Sequence, residues 1–283
     1  MLMLRCFFAG SGEGRPLKKI ESVEQINDGY WLIKLIQIEQ EQELNSLTSY
    51  FINEIGETAS LLTLGNFLNA MGEHRKAEQY YKMLLDTLPP DDNDLAIVYN
   101  NLGMVYETMR KFDMALEYFE RANKLLSTGY NLNQNSLQIA KCYQNIGSAH
   151  MEKGDFDLAS KTFQKALEIE QNYSLTNDLS IATTYNGLGL LYTEKHDHEL
   201  AIQYFEKALA VQMNQLPSNH PDFSAVYNNI GSVYSAKKDY KQALNYYRKA
   251  LEVGLRSLPP DHPDIVKYGN NIGIVVKLVE TDQ

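Results

Sequence analysis

Cysteine is nearly missing from this chain: Cys6 and Cys142 are the two in 283 residues. So far apart, and with no second pair, they build neither a disulfide framework nor a zinc site, and a reducing, cytoplasmic setting is the expectation. Positive charge is also scarce, with 26 Lys and Arg against 36 Asp and Glu, a formal net charge of −10. Binding nucleic acid needs clustered cations that displace counterions from phosphates, so nucleic acid is set aside as a partner and neutral or basic polypeptides fit better. No stretch approaches the roughly eighteen consecutive apolar residues of a membrane span, so no membrane partner is expected. Residues 1–8 are apolar, but Arg5 interrupts them and they are too short and poorly flanked for a secretory signal. What is present in quantity is ordinary core material. Hydrophobic residues make up 44 % and charged residues 22 %, the balance of a soluble chain that can bury a sizeable core.

Catalytic groupings are equally thin. His196-Asp197-His198 holds two imidazoles, but it falls where one helix turns into the next and has no third ligand, so a polar turn outweighs a metal site. His220 and His262 occupy equivalent linker positions and read as structural, while His74 and His150 sit at repeat positions. Cys142 lies on a helix without a positioned base, so a buried thiol outweighs a nucleophile. Gly10-Ser11-Gly12-Glu13-Gly14 lacks the lysine and hydroxyl of a phosphate loop and reads as a linker. The expectation is a protein that is not an enzyme, with no cofactor and no metal.

The strong signal is internal repetition. Gly65, Gly103, Gly147, Gly189, Gly231 and Gly273 are spaced by 38, 44, 42, 42 and 42 residues. Twelve residues after each of the first five comes alanine: Ala77, Ala115, Ala159, Ala201 and Ala243. Sixteen after comes a ring: Tyr81, Phe119, Phe163, Phe205 and Tyr247. Nineteen after come Leu84, Ala122, Ala166, Ala208 and Ala250. Within a copy, Tyr99, Leu102, Gly103 and Tyr106 fall on one helical face (helix A), and Ala115, Phe119 and Ala122 on another (helix B), with Asp113 as the expected N-cap. A glycine inside a helix costs about 1 kcal/mol relative to alanine, so six at one phase call for a close approach of helices A and B, with the ring filling the space beyond. Leu88-Pro89-Pro90-Asp91, Asn219-His220-Pro221-Asp222 and Asp261-His262-Pro263-Asp264 end one copy and open the next, because proline has no amide hydrogen to donate.

Tyr99-Asn100-Asn101-Leu102-Gly103, with alanine at twelve and a ring at sixteen, resembles the tetratricopeptide repeat, and the 42-residue period with His-Pro-Asp linkers is similar to the repeats of kinesin light chain. The resemblance implies an all-α fold, a right-handed superhelix or α-solenoid of about five and a half helix-turn-helix repeats over residues 58–283, working as a protein-binding scaffold. The first copy is shorter, and the sixth stops after helix A, where Ile274, Val275, Val276, Leu278 and Val279 crowd one helix; self-association through that helix is a third possibility.

Stacked repeats leave one curved surface open. At about 100° per residue, the positions six before, two before, one after and five after each glycine point away from the packed face. They are Ile97, Asn101, Met104 and Thr108; then Lys141, Asn145, Ser148 and Glu152; Thr183, Gly187, Leu190 and Glu194; Ala225, Asn229, Ser232 and Ala236; and Lys267, Asn271, Ile274 and Leu278. The candidate peptide-binding groove is Asn101, Met104, Lys141, Asn145, Ser148, Leu190, Asn229, Ser232, Lys267 and Asn271. A carboxamide both donates and accepts, so a ladder of Asn101, Asn145, Asn229 and Asn271 can read a peptide backbone, with Gly187 as its gap. The resemblance points the same way, because similar asparagines line the concave groove of tetratricopeptide domains. The plainer alternative is that these asparagines cap, or bond the neighbouring helix. Lys141 and Lys267 are offset by Glu152 and Glu194, so no clamp for a carboxylate tail is expected.

Residues 1–44 do not follow the repeat. Residues 20–24 and 30–35 read as two strands around an Asn27-Asp28-Gly29 turn, and a helix over roughly 39–55 leads into the array, with 45–57 as the connecting segment. This hairpin resembles the closing hairpin of arginine-specific ADP-ribosyltransferase domains, whose catalytic region has no counterpart here. The resemblance implies an alternative function, the targeting portion of an NAD-dependent arginine ADP-ribosyltransferase. An N-terminal extension that caps the solenoid is the other reading.

Overall fold

The computed structural model describes the backbone of residues 3–5, 18–27 and 30–37, and residues 58–281 except 71, 91, 93, 129–131, 174–178, 218, 219, 257, 259 and 261. Cys6, the glycine-rich run at 10–14 and the expected helix over 39–55 lie outside the described residues. Between 58 and 281 the described elements are eleven helices: α1 (Thr58–Ala70), α2 (His74–Thr87), α3 (Leu95–Thr108), α4 (Phe112–Thr128), α5 (Leu132–Lys153), α6 (Phe156–Tyr173), α7 (Leu179–Glu194), α8 (His198–Gln215), α9 (Asp222–Ala236), α10 (Tyr240–Leu255) and α11 (Pro263–Thr281). Odd-numbered helices are the A helices of the repeat and even-numbered ones the B helices. Two compact groups form, α1–α3 within residues 1–109 and α4–α11 within residues 110–283.

The glycine positions explain the pairing of A with B. A Cβ built on Gly189 would lie 2.5 Å from the Phe205 ring, on Gly231 2.7 Å from Tyr247, and on Gly147 3.0 Å from Phe163. Tyr81 lies over Gly65 in the same way, its hydroxyl donating to the Leu62 carbonyl (3.3 Å) and to Asn66 Oδ1 (2.8 Å). The ring therefore rests on the glycine itself rather than in the space beyond it, a closer contact than the spacing alone required. The alanines twelve and nineteen residues on are fully buried beside it. At α11 the pattern stops: a Cβ on Gly273 would meet nothing within 4 Å.

The turns from A to B share one device. Seven residues after the glycine the backbone is left-handed, at Gly72, Arg110, Gly154, His196 and Lys238 (φ 80, 58, 84, 59 and 61°). The next amide bonds back across the helix end, Asp155 to the His150 carbonyl, Asp197 to Tyr192 and Asp239 to Tyr234, each at 2.9 Å, which is a Schellman closure. The same aspartates start the following helix, Asp197 Oδ1 accepting from the Leu200 amide (3.2 Å) and Asp239 Oδ1 from Gln242 (3.1 Å). The expected cap at Asp113 is corrected by this geometry. Helix α4 begins at Phe112, with the Ala115 amide donating to the Lys111 carbonyl, so Asp113 lies inside the first turn. Between copies, His220 Nδ1 accepts from the Asp222 amide (3.3 Å) and His262 Nδ1 from Asp264 (3.2 Å), holding the first turns of α9 and α11.

Successive copies within residues 110–283 are also tied by charge. Lys153 reaches back to Asp113 (2.6 Å), Lys195 to Asp157 (3.2 Å) and Lys237 to Glu199, each lysine six residues after its glycine and each acid ten after the preceding one. Tyrosines pin A to B in the fourth and fifth copies. Tyr204 stacks on Tyr192 (5.4 Å) under Lys207 (5.0 Å), and Tyr246 on Tyr234 (5.5 Å) under Lys249 (5.1 Å).

Candidate peptide-binding face

The A helices of residues 110–283 share one exposure pattern along the four positions picked out by periodicity. The outer two are exposed and the inner two half-buried in α5 (Lys141, Asn145, Ser148, Glu152), α7 (Thr183, Gly187, Leu190, Glu194) and α9 (Ala225, Asn229, Ser232, Ala236). In α11 Lys267, Ile274 and Leu278 are exposed and Asn271 is half-buried. One face thus runs through four A helices and holds eight of the ten candidate residues. The other two, Asn101 and Met104, lie on α3 in the first group, where Met104 is exposed and Asn101 is buried at 8 % exposure. Asn101 sits beside the Tyr81 hydroxyl, whose ionisation burial opposes and the Asn101 side chain eases.

Two of the asparagines bridge neighbouring helices. Asn229 Nδ2 donates to Asn186 Oδ1 (3.1 Å) and Asn271 Nδ2 to Asn228 Oδ1 (2.8 Å), so the residue two before the glycine in one copy bonds the residue three before it in the preceding copy. The plainer alternative is therefore realised at these two rungs, and each amide retains a second hydrogen and its carbonyl oxygen as chemistry for a ligand. At the fourth copy the rung is absent for a steric reason. A Cβ on Gly187 would lie 2.7 Å from the Phe163 ring, which occupies the space a side chain would need. Gln144, which stands where Asn186 and Asn228 stand in later copies, donates instead to Glu170 Oε1 (2.8 Å), within reach of Thr184 Oγ1 (2.8 Å) and the Ser180 carbonyl (3.1 Å). Thr184 Oγ1 donates to the other oxygen of Glu170 (2.8 Å), a carboxylate with no exposed surface. Ser232 is committed inward as well, donating to the Asn228 carbonyl and accepting from the Tyr247 hydroxyl, both at 3.1 Å.

Sequence models of the tetratricopeptide repeat match residues 57–126 and 138–214, and a second such model matches 224–264. The chain is a tetratricopeptide-repeat protein. Among its relatives is the tetratricopeptide repeat domain-containing protein PYG7, chloroplastic, of Arabidopsis thaliana, 26 % identical over 145 residues. That match takes in 50 % of this chain and 45 % of the relative, so the chain spans under half of that protein's length. The crystal structure of BtubC (BKLC) from P. vanneervenii superposes with a TM-score of 0.60 at 25 % identity, covering 78 % of this chain and 89 % of that one. The tetratricopeptide-like repeats of a putative kinesin light chain from Podosopora anserina superpose with a TM-score of 0.55 at 16 % identity, covering 70 % and 95 %. The second likeness bears on fold alone.

Three further residues that the sequence singled out sit in local structural settings. His196 is the left-handed residue of a turn and Asp197 the cap of α8. Cys142 is a buried thiol, its pKa pushed up to about 12 by burial. No helix among the described residues is long and apolar enough to cross a membrane. The lysine-to-acid rungs were missed in the sequence, although their signal, a basic residue at plus six and an acidic one at plus ten in consecutive copies, was there to be counted.

Proposed function

We propose that this protein is a non-catalytic interaction scaffold that holds an extended peptide along a concave groove formed by the A helices. Tetratricopeptide repeats imply protein–protein interaction, and the observation that carries the finer reading is the face shared by α5, α7, α9 and α11, with half-buried carboxamides at one phase on α5, α9 and α11. Backbone recognition by amides and side-chain recognition between helices fit an occupant without regular structure of its own. The test is an affinity measurement on Asn145→Ala/Asn229→Ala. Binding should be lost while helical content by circular dichroism is unchanged, and retained binding would remove the groove from the account.

A second reading comes from the N-terminal segment. Its sequence resemblance to the closing hairpin of arginine-specific ADP-ribosyltransferase domains would make this chain the targeting portion of such an enzyme. Incubating the chain with NAD and an arginine-rich acceptor tests for residual transfer. Transfer by this chain alone would overturn the non-catalytic assignment. Self-association through α11 is the third reading, favoured by Ile274 and Leu278, which are 57 % and 37 % exposed, although Val275 of the same helix is 1 % exposed against Ala243 and Tyr247. Sedimentation over a concentration series decides it, and a monomer throughout removes it.

A further inference from the structure

The face on α5, α7, α9 and α11 is chemically graded along its length, and from that gradient we infer the class of its occupant: an extended peptide with a basic residue near one end and an aliphatic or aromatic anchor near the other. The inference rests on the peptide-groove reading above. Along the edge five residues after each glycine the sequence reads Glu152, Glu194, Ala236, Leu278. The two acids are exposed and lie on consecutive A helices. Glu152 holds Arg110 loosely at 3.7 Å, and among the described residues Glu194 makes no ion pair. Along that edge the charge disappears on the next two helices. Ala236, Ile274 and Leu278 are exposed there, with Ala225 exposed at the far end of α9.

These helices are direct neighbours, because Asn229 bonds Asn186 and Asn271 bonds Asn228 across them. The apolar end is therefore a surface shared between α9 and α11 and continuous with the amide rungs. The two lysines on the opposite edge, Lys141 and Lys267, are separated by Thr183 and Ala225 and so form no single basic field, whereas the two acids are adjacent and add. Helices pack at about 8–10 Å, so Glu194 and Leu278, two helices apart, are about 16–20 Å apart across the face. An extended chain covers that in about five or six residues. The expected occupant thus carries Lys or Arg about five or six positions from Leu, Ile, Phe or Trp.

A random-peptide phage library panned on the full chain, followed by anisotropy of the most enriched peptide in synthetic, labelled form, tests this. Enriched sequences should show the basic and apolar pair at that spacing. Ile274→Asp should weaken the synthetic peptide about tenfold or more. Glu194→Lys should weaken it severalfold, and changing the peptide's basic residue to Glu should restore the loss. Peptides that depend on Asn145 and Asn229 but ignore both Ile274→Asp and Glu194→Lys would overturn the gradient and leave the groove standing. Peptides indifferent to the asparagines as well would overturn both. A concentration-dependent dimer that Ile274→Asp converts to monomer would assign the apolar end to a second copy of the chain and overturn the peptide anchor.

Discussion

At Gly189 an added methyl group would stand 2.5 Å from the Phe205 ring, whereas at Gly273, the same phase two copies on, it would meet nothing within 4 Å. Opposite outcomes follow from one substitution. Gly189→Ala should destabilise by about 1–3 kcal/mol through overpacking, and Gly273→Ala should stabilise by up to about 1 kcal/mol through helix propensity, both read from urea midpoints at unchanged slope. The left-handed turn residues give a second residue-level contrast. His196, at φ 59°, adopts a backbone that Gly72 and Gly154 adopt without a side chain to strain. His196→Gly should therefore gain roughly 0.5–1 kcal/mol, and a thermal midpoint below that of the parent would show that the imidazole contributes more than its backbone costs.

Each helix pair is closed by a turn whose last residue also opens the next helix. Removing that second role, as in Asp239→Ala, should cost about 1 kcal/mol and raise hydrogen exchange at the first amides of α10, where the Asp239 carboxylate accepts from Gln242. Exchange unchanged there would mean the Schellman closure suffices alone. Helix pairing was legible in the sequence because glycine, alanine and ring recur at fixed intervals, and the structure places them in contact. Three things were not legible for stated reasons. Asp113 has the right chemistry for a cap, but the left-handed residue at Arg110 puts the cap at Lys111, two positions before it, and Asp113 is left to meet Lys153. Periodicity gives a direction around one helix, and it could not show that Asn229 and Asn271 lean across to Asn186 and Asn228. The gap at Gly187 was visible as a missing amide, but its cause, the Phe163 ring, comes from a different copy.

Alkaline titration reports on the molecule as a whole. Burial raises Tyr268 and Tyr106 from the ordinary 10.0 to about 12, and it also pushes up Tyr204, Tyr227, Tyr246 and Tyr247. Below pH 10 these hydroxyls are protonated folded or unfolded, and the stability tied to them is fully present. Above it the unfolded chain ionises first, so stability falls as pH rises toward about 12. Thermal midpoints should hold steady up to about pH 9 and then drop as the pH rises toward about 12. A thermal midpoint that stays level across that range would contradict the burial argument. The lysine-to-acid rungs have an evolutionary corollary. Residues 147–188 contain both Lys153, which reaches the copy before, and Asp157, which receives Lys195 from the copy after. A gene segment encoding that block, pasted in tandem, would bring a matching charge to each seam, so lengthening by duplication would demand no compensating change at these positions.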